Sequence, residues 1–161
     1  ACPPARLQFS PFSFAEVDGS ATQNGARRAG DMGPGLVTCG RENIRFWRIR
    51  KGHLPGRPVK LDQYSRGCGF TDVGFYSEPT LQNPGMDTPV VLVSSTRGLL
   101  LKVDAISETV LCSFQLHDSP ITSLAVHGGY AVTGGADSKL RVWPLSFNDF
   151  LLEAHHESAG K

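Results

Sequence analysis

From residue 35 onward, short apolar runs alternate with turn-forming residues at a spacing that predicts strands rather than helices. Gly35–Gly40 reads as one strand, Arg41-Glu42-Asn43 as a turn, and residues 44–50 as a second strand. In that second strand Ile44, Phe46 and Ile49 supply an apolar side, with Arg45 and Arg48 as polar neighbours. A second group follows: residues 90–94, a turn at 95–98, Leu99–Asp104, then Thr109–Gln115. Residues 121–126, 130–133 and 140–143 repeat the scheme a third time. The head of the chain, 1–19, carries Leu7, Phe9, Phe12 and Phe14, enough for one strand near 6–10. Residues 20–35 are rich in Gly, Ala and polar side chains without periodicity, and read as a flexible linker or insertion.

Superposing the groups exposes an internal repeat. Residues 38–47, ending in Arg45-Phe46-Trp47, align with residues 133–143, ending in Arg141-Val142-Trp143. Residues 94–102 fit between them, with Lys102 standing where the tryptophan would be. The step from Lys102 to Trp143 matches the roughly 40–45-residue period of a propeller blade. The earlier step, from Trp47, is longer, and the proline-rich stretch 78–89 is the expected place for the surplus.

These residues resemble the WD-repeat β-propeller family over 36–154. Leu116-His117 stands where such repeats carry Gly-His, and Asp137 through Trp143-Pro144 stands where they end in Trp-Asp. The wording around 38–50 and 117–153 is further similar to that of large centriolar and ciliary members of the family. The resemblance implies an all-β fold, a partial propeller of about three blades (36–66, 67–116 and 117–154) that does not close. Residues 155–161 would then begin a further blade. It also implies a buried chain of hydrogen bonds in each blade, from Trp indole to Ser/Thr hydroxyl to His to Asp. The third unit offers the full set, His117, Thr133, Asp137 and Trp143; the first offers Thr38, Glu42 and Trp47; the second offers none.

Composition narrows function more than fold. The 161 residues include 18 Gly and 11 Pro and carry a formal net charge of +1, too little for a strongly basic nucleic-acid binder. The four cysteines form no C-x-x-C pair, so we expect reduced thiols in a cytosolic-type compartment. No apolar run approaches the roughly 18 residues of a membrane span. The chain starts with Ala1 and ends in a polar stretch, which reads as part of something longer.

Candidate chemistry is sparse. His117-Asp118-Ser119 has the residue types of a triad, but sequence neighbours cannot take triad geometry. His155 and His156, with Glu153 and Glu157, have the types of a metal site, yet adjacent strand residues point to opposite faces. Neither phosphate-binding nor nucleophile-elbow motifs occur, and the sequence calls for no enzyme, cofactor or metal. Charge is the one functional signal. Arg41, Arg45, Arg48, Arg50, Lys51, Arg57, Lys60 and Arg66 face only Glu42 and Asp62 within 41–66, a balance of +6, whereas 67–160 balances to −6. Such a stretch docks anionic partners, or is a solvated blade face whose arginine stems cover apolar surface. The resemblance implies a protein-binding scaffold at the centriole or ciliary base, and acidic tubulin tails suit that resemblance as partner. A general adaptor for signalling or ubiquitin-ligase complexes is the alternative, and an RNA-binding module ranks third because few aromatics interleave the basic residues.

Overall fold

The computed structural model describes residues 6–9, 35–48, 52–79 and 87–156. The described residues build three four-stranded antiparallel sheets and no α-helix. The first sheet holds β1 (Arg6–Phe9), β2 (Gly35–Gly40), β3 (Asn43–Arg48) and β4 (Gly56–Pro58) in that order. The second holds β5 (Phe70–Pro79), β6 (Asp87–Ser95), β7 (Leu99–Asp104) and β8 (Thr109–Gln115). The third holds β9 (Ile121–His127), β10 (Tyr130–Gly135), β11 (Lys139–Pro144) and β12 (Leu152–His155). Each sheet is therefore a meander, and none closes on another; the fold is an all-β open arc of propeller blades. The stretch 20–34 lies outside the described residues, and Gly35 opens β2.

The packing follows from the period-2 rule. In β6, Val91 and Val93 join a core with Val37, Ile44 and Phe46 of the first sheet. Their neighbours Val90 and Leu92 join a second core with Leu124, Ala131 and Trp143 of the third. Successive side chains point to opposite faces, so the second sheet is buried on both sides. This is why β6 reads as a continuous apolar run instead of alternating. The outer face of the third sheet carries the same strand positions without a cover: Tyr130, Leu140 and Leu152 are exposed.

The register corrects one expectation. Val91 pairs with Val103 in the second sheet, as Ala131 pairs with Trp143 in the third and Leu36 with Trp47 in the first. Val103, not Lys102, thus occupies the tryptophan's position, and a one-residue slip moves a side chain to the opposite face. Lys102 faces the other way, 2.7 Å from Glu78 and 5.8 Å from the centroid of the Tyr76 ring. In the proline-rich stretch, the expected place for the surplus residues, β5 and β6 run on as a longer hairpin, paired as far as Pro79 with Asp87. His155, read from the sequence as opening a further unit, pairs with Lys139 as the last residue of β12.

The 161-residue chain has three free cysteines among its described residues, Cys39, Cys68 and Cys112. Burial pushes the Cys39 thiol up to about 12, which leaves it protonated and inert.

Candidate functional site

The β10–β11 hairpin and the linker from β8 to β9 place four polar side chains in a row. Trp143 donates its indole N–H to Thr133 Oγ1 at 2.9 Å. Thr133 Oγ1 lies 2.8 Å from His117 Nε2, and His117 Nδ1 lies 3.2 Å from Asp137 Oδ2. One direction of donation satisfies every group: the threonine hydroxyl, accepting from the indole, donates to Nε2, and the Nδ1–H donates to the carboxylate. Thr133 and His117 are buried and Trp143 is 5% exposed, so an unmade bond here would cost about 1–3 kcal/mol.

Asp137 sits in the β10–β11 turn because Ser138, the residue after it, takes a left-handed φ of 62° that closes the turn. Partial burial disfavours its charge, but the bond from His117 and the Lys139 backbone N–H at 3.1 Å outweigh it, holding the carboxyl below its ordinary range. Gly135 is required beside them, since a Cβ there would collide with both the His117 ring and the Asp137 carboxylate.

The first sheet holds the same bond in reduced form. Trp47 donates to Thr38 Oγ1 at 2.8 Å. Glu42 does not extend that bond into a chain. At φ 54° its carboxylate accepts the Gly67 backbone N–H at 2.8 Å, tying the turn to the linker that leads into the second sheet. The second sheet has no such chain. Val93 and Val103 replace threonine and tryptophan in the apolar core, and the buried Ser95 hydroxyl bridges its own turn through Leu99.

The two indoles differ in what covers them. Trp143 packs in the core between the second and third sheets, with Phe150 edge-on at 5.7 Å. Trp47 lies on the far face of the first sheet, half-buried, under Gly56 and with the Arg45 guanidinium 5.9 Å from its ring centroid.

The six described members of the basic run do not share one set of partners. Arg45 rests on Trp47, whereas Arg48 and Arg57 approach Glu108 of the second sheet at 3.7 and 4.0 Å. Arg41, Lys60 and Arg66 are exposed; Arg50 and Lys51 lie outside the described residues. Part of the basic run therefore works as an inter-sheet clasp, a use invisible in the sequence because Glu108 is far along the chain.

Three further residues carry weight in roles that the sequence did not signal. Arg141 donates from Nε to Glu153 at 2.7 Å, donates to the Leu116 carbonyl, and stacks 5.2 Å from the Phe150 ring centroid, closing the mouth over Trp143. Glu153 is held below its ordinary range by that guanidinium, and it also lies 3.4 Å from His155. Asp72 on β5, 7% exposed, reaches Gln8 of the first sheet at 3.3 Å and the Leu124 N–H of the third at 3.0 Å. His117, Asp118 and Ser119 do not converge as a triad: Ser119 Oγ instead accepts the Asp137 backbone N–H at 3.0 Å.

No protein-family model matches the chain. Centriole proteome protein 16 of Chlamydomonas reinhardtii is 40% identical over 138 residues, covering 77% of this chain and 6% of the relative. WD repeat-containing protein 90 of Xenopus tropicalis is 32% identical over 142 residues, covering 76% of this chain and 8% of the relative. The chain thus spans under a tenth of the length of the curated relatives it matches. Among solved structures, the WD40 β-propeller domain of Doa1 superposes with a TM-score of 0.59 at 17% identity, over 75% of this chain and 38% of that one. With three stacked four-stranded meanders, a Trp–Thr–His–Asp chain at the repeat position and these relatives, the chain belongs to the WD-repeat β-propeller family.

Proposed function

We propose that this arc is a non-catalytic scaffold segment that binds protein partners at the centriole or ciliary base, with acidic tubulin tails as the preferred partner. The observation that carries the reading is the 40% identity to a centriolar protein across 77% of the chain. The polar side chains that look reactive on paper support a non-catalytic role. His117 and Thr133 are buried, and each spends its hydrogen-bonding capacity on the next member of the row. A group held this way serves to fix strand register, since only one pairing of β10 with β11 closes the chain.

The exposed arginines of the first two sheets favour an anionic partner, and their field steers acidic segments toward that end of the arc. Among the described residues no helix is long and apolar enough to cross a membrane. The centriolar relative supports a location in the cytoplasm, on the cytoskeleton. Microtubule co-sedimentation of the full-length protein at low salt tests the reading. Pelleting that is lost when the tubulin tails are removed by protease is expected; no pelleting at low salt overturns it.

A further inference from the structure

We infer that Arg41, Arg66 and Arg97 form one docking point for an acidic peptide segment, assembled from two sheets and not from the contiguous basic run. The segments that carry the three residues converge on the linker that enters the second sheet. Arg41 lies in the β2–β3 turn and bridges Gly69 through its backbone. Arg66 lies on the linker itself, and Arg97 lies in the β6–β7 turn, whose Thr96 N–H bonds the Gly69 carbonyl at 2.7 Å. The return bond, Gly69 N–H to Thr96 Oγ1 at 3.1 Å, fixes both turns against one short segment.

Comparison with the third sheet shows what is unusual about these positions. Phe70 pairs with the end of β6 as Ile121 pairs with the end of β10. Counting back from those residues sets Arg66 opposite His117, and counting along the turns sets Arg97 opposite Asp137. Where the third sheet spends its linker and turn positions on an internal His–Asp bond, the second sheet puts exposed arginines there. Its turn is closed by Ser95 instead, so both guanidinium groups are released from structural duty.

Arg41, Arg66 and Arg97 make no ion pair with any described residue, in contrast to Arg48, Arg57 and Arg141. The nearby carboxylate, Glu42, accepts Gly67 N–H and lowers the local balance from +3 to +2. Arginine presents a planar fork that takes carboxylates two bonds at a time, so three exposed forks on a fixed linker suit successive Glu or Asp side chains. A duplex or long RNA needs more phosphate contacts than a +2 cluster supplies.

This inference rests on the scaffold reading only in taking the partner to be a protein. The experiment is fluorescence anisotropy of the intact chain with a labelled oligo-glutamate peptide, beside an RNA oligonucleotide of equal charge. Reversing the three residues (R41E, R66E and R97E together) is expected to weaken peptide binding by about tenfold or more. Lys60→Glu, on an exposed cation outside the cluster, is expected to leave it within about twofold. Unchanged peptide affinity in the triple variant, or tighter binding of the RNA, overturns the inference. Should the reversal variant fail to fold, the neutral triple variant R41Q, R66Q and R97Q must show the same ranking at smaller size. Microtubule pelleting that fails while oligo-glutamate binding depends on the cluster would overturn the tubulin assignment and leave the docking point standing.

Discussion

Asp72 takes the backbone N–H of Leu124 across the seam between the second and third sheets, at 3.0 Å, while its other oxygen reaches Gln8 of the first. One buried carboxylate thereby joins the first strands of all three sheets. It also accepts the Val73 N–H at 3.0 Å, so the charge is met by three donors. Removing it orphans the Leu124 N–H in the core. Asp72→Ala is expected to destabilise the chain by about 2–4 kcal/mol, read from the denaturant midpoint. An unchanged midpoint would mean the seam does not depend on this residue.

The two tryptophans hold the same position in their sheets but should differ in worth. Trp143→Ala empties a site between two sheets and is expected to cost about 3–5 kcal/mol. Trp47→Ala acts on an open face and should cost less than half as much, because half-buried surface returns less on removal. Trp143→Phe keeps most of the volume but drops the N–H, for about 1 kcal/mol. Equal losses for the two alanine variants in chemical denaturation would contradict the packing described above.

Acid should loosen the third sheet first. The Asp137 carboxyl is held below its ordinary range in the folded chain, so the folded state binds its proton less readily than the unfolded state does. Its contribution is complete above the ordinary carboxylate value of about 3.9 and is lost as pH falls below that toward the folded value. Melting temperature should therefore drop through this window, and Asp137→Asn should flatten that part of the profile. An identical acid limb in the variant would show the carboxylate to be uncoupled from stability.

Gly98 is expected to tolerate no side chain. Its φ of 73° belongs to the left-handed region, and a Cβ would run into the His117 carbonyl. The Gly98 carbonyl also accepts the N–H groups of Leu116 and His117 at 3.0 and 3.2 Å, so any shift pulls on the linker that carries His117. Gly98→Ala should cost about 2 kcal/mol or more, measured by thermal unfolding. A stability gain would contradict the geometry.

How much of the fold is legible in the sequence varies element by element. The third sheet is readable because its polar residues stand at fixed offsets from one turn, and Trp143, Thr133, His117 and Asp137 do come within hydrogen-bond reach of one another. β5 escapes a sequence reading since Asp72 sits at a register shift that breaks the period, and Gly74 is a strand glycine that admits Val126. β4 is three residues long and holds Gly and Pro, which read as turn. Lys102 aligns one residue out because the leucines at 99–101 are apolar on both faces, leaving no alternation there to fix the register. The candidate basic run looks continuous only in one dimension: Glu108, which claims Arg48 and Arg57, and the Arg97 turn, which bonds Gly69 beside Arg41, both arrive from the second sheet.

The stacking of the second sheet between its neighbours is tested most directly by nuclear Overhauser contacts from the four β6 residues at 90–93 in the methyl-labelled chain. Val91 and Val93 should show contacts to Ile44 and Phe46, and Val90 and Leu92 to Leu124 and Trp143, with no crossing between the two sets. Contacts from odd and even residues to the same sheet would contradict the account.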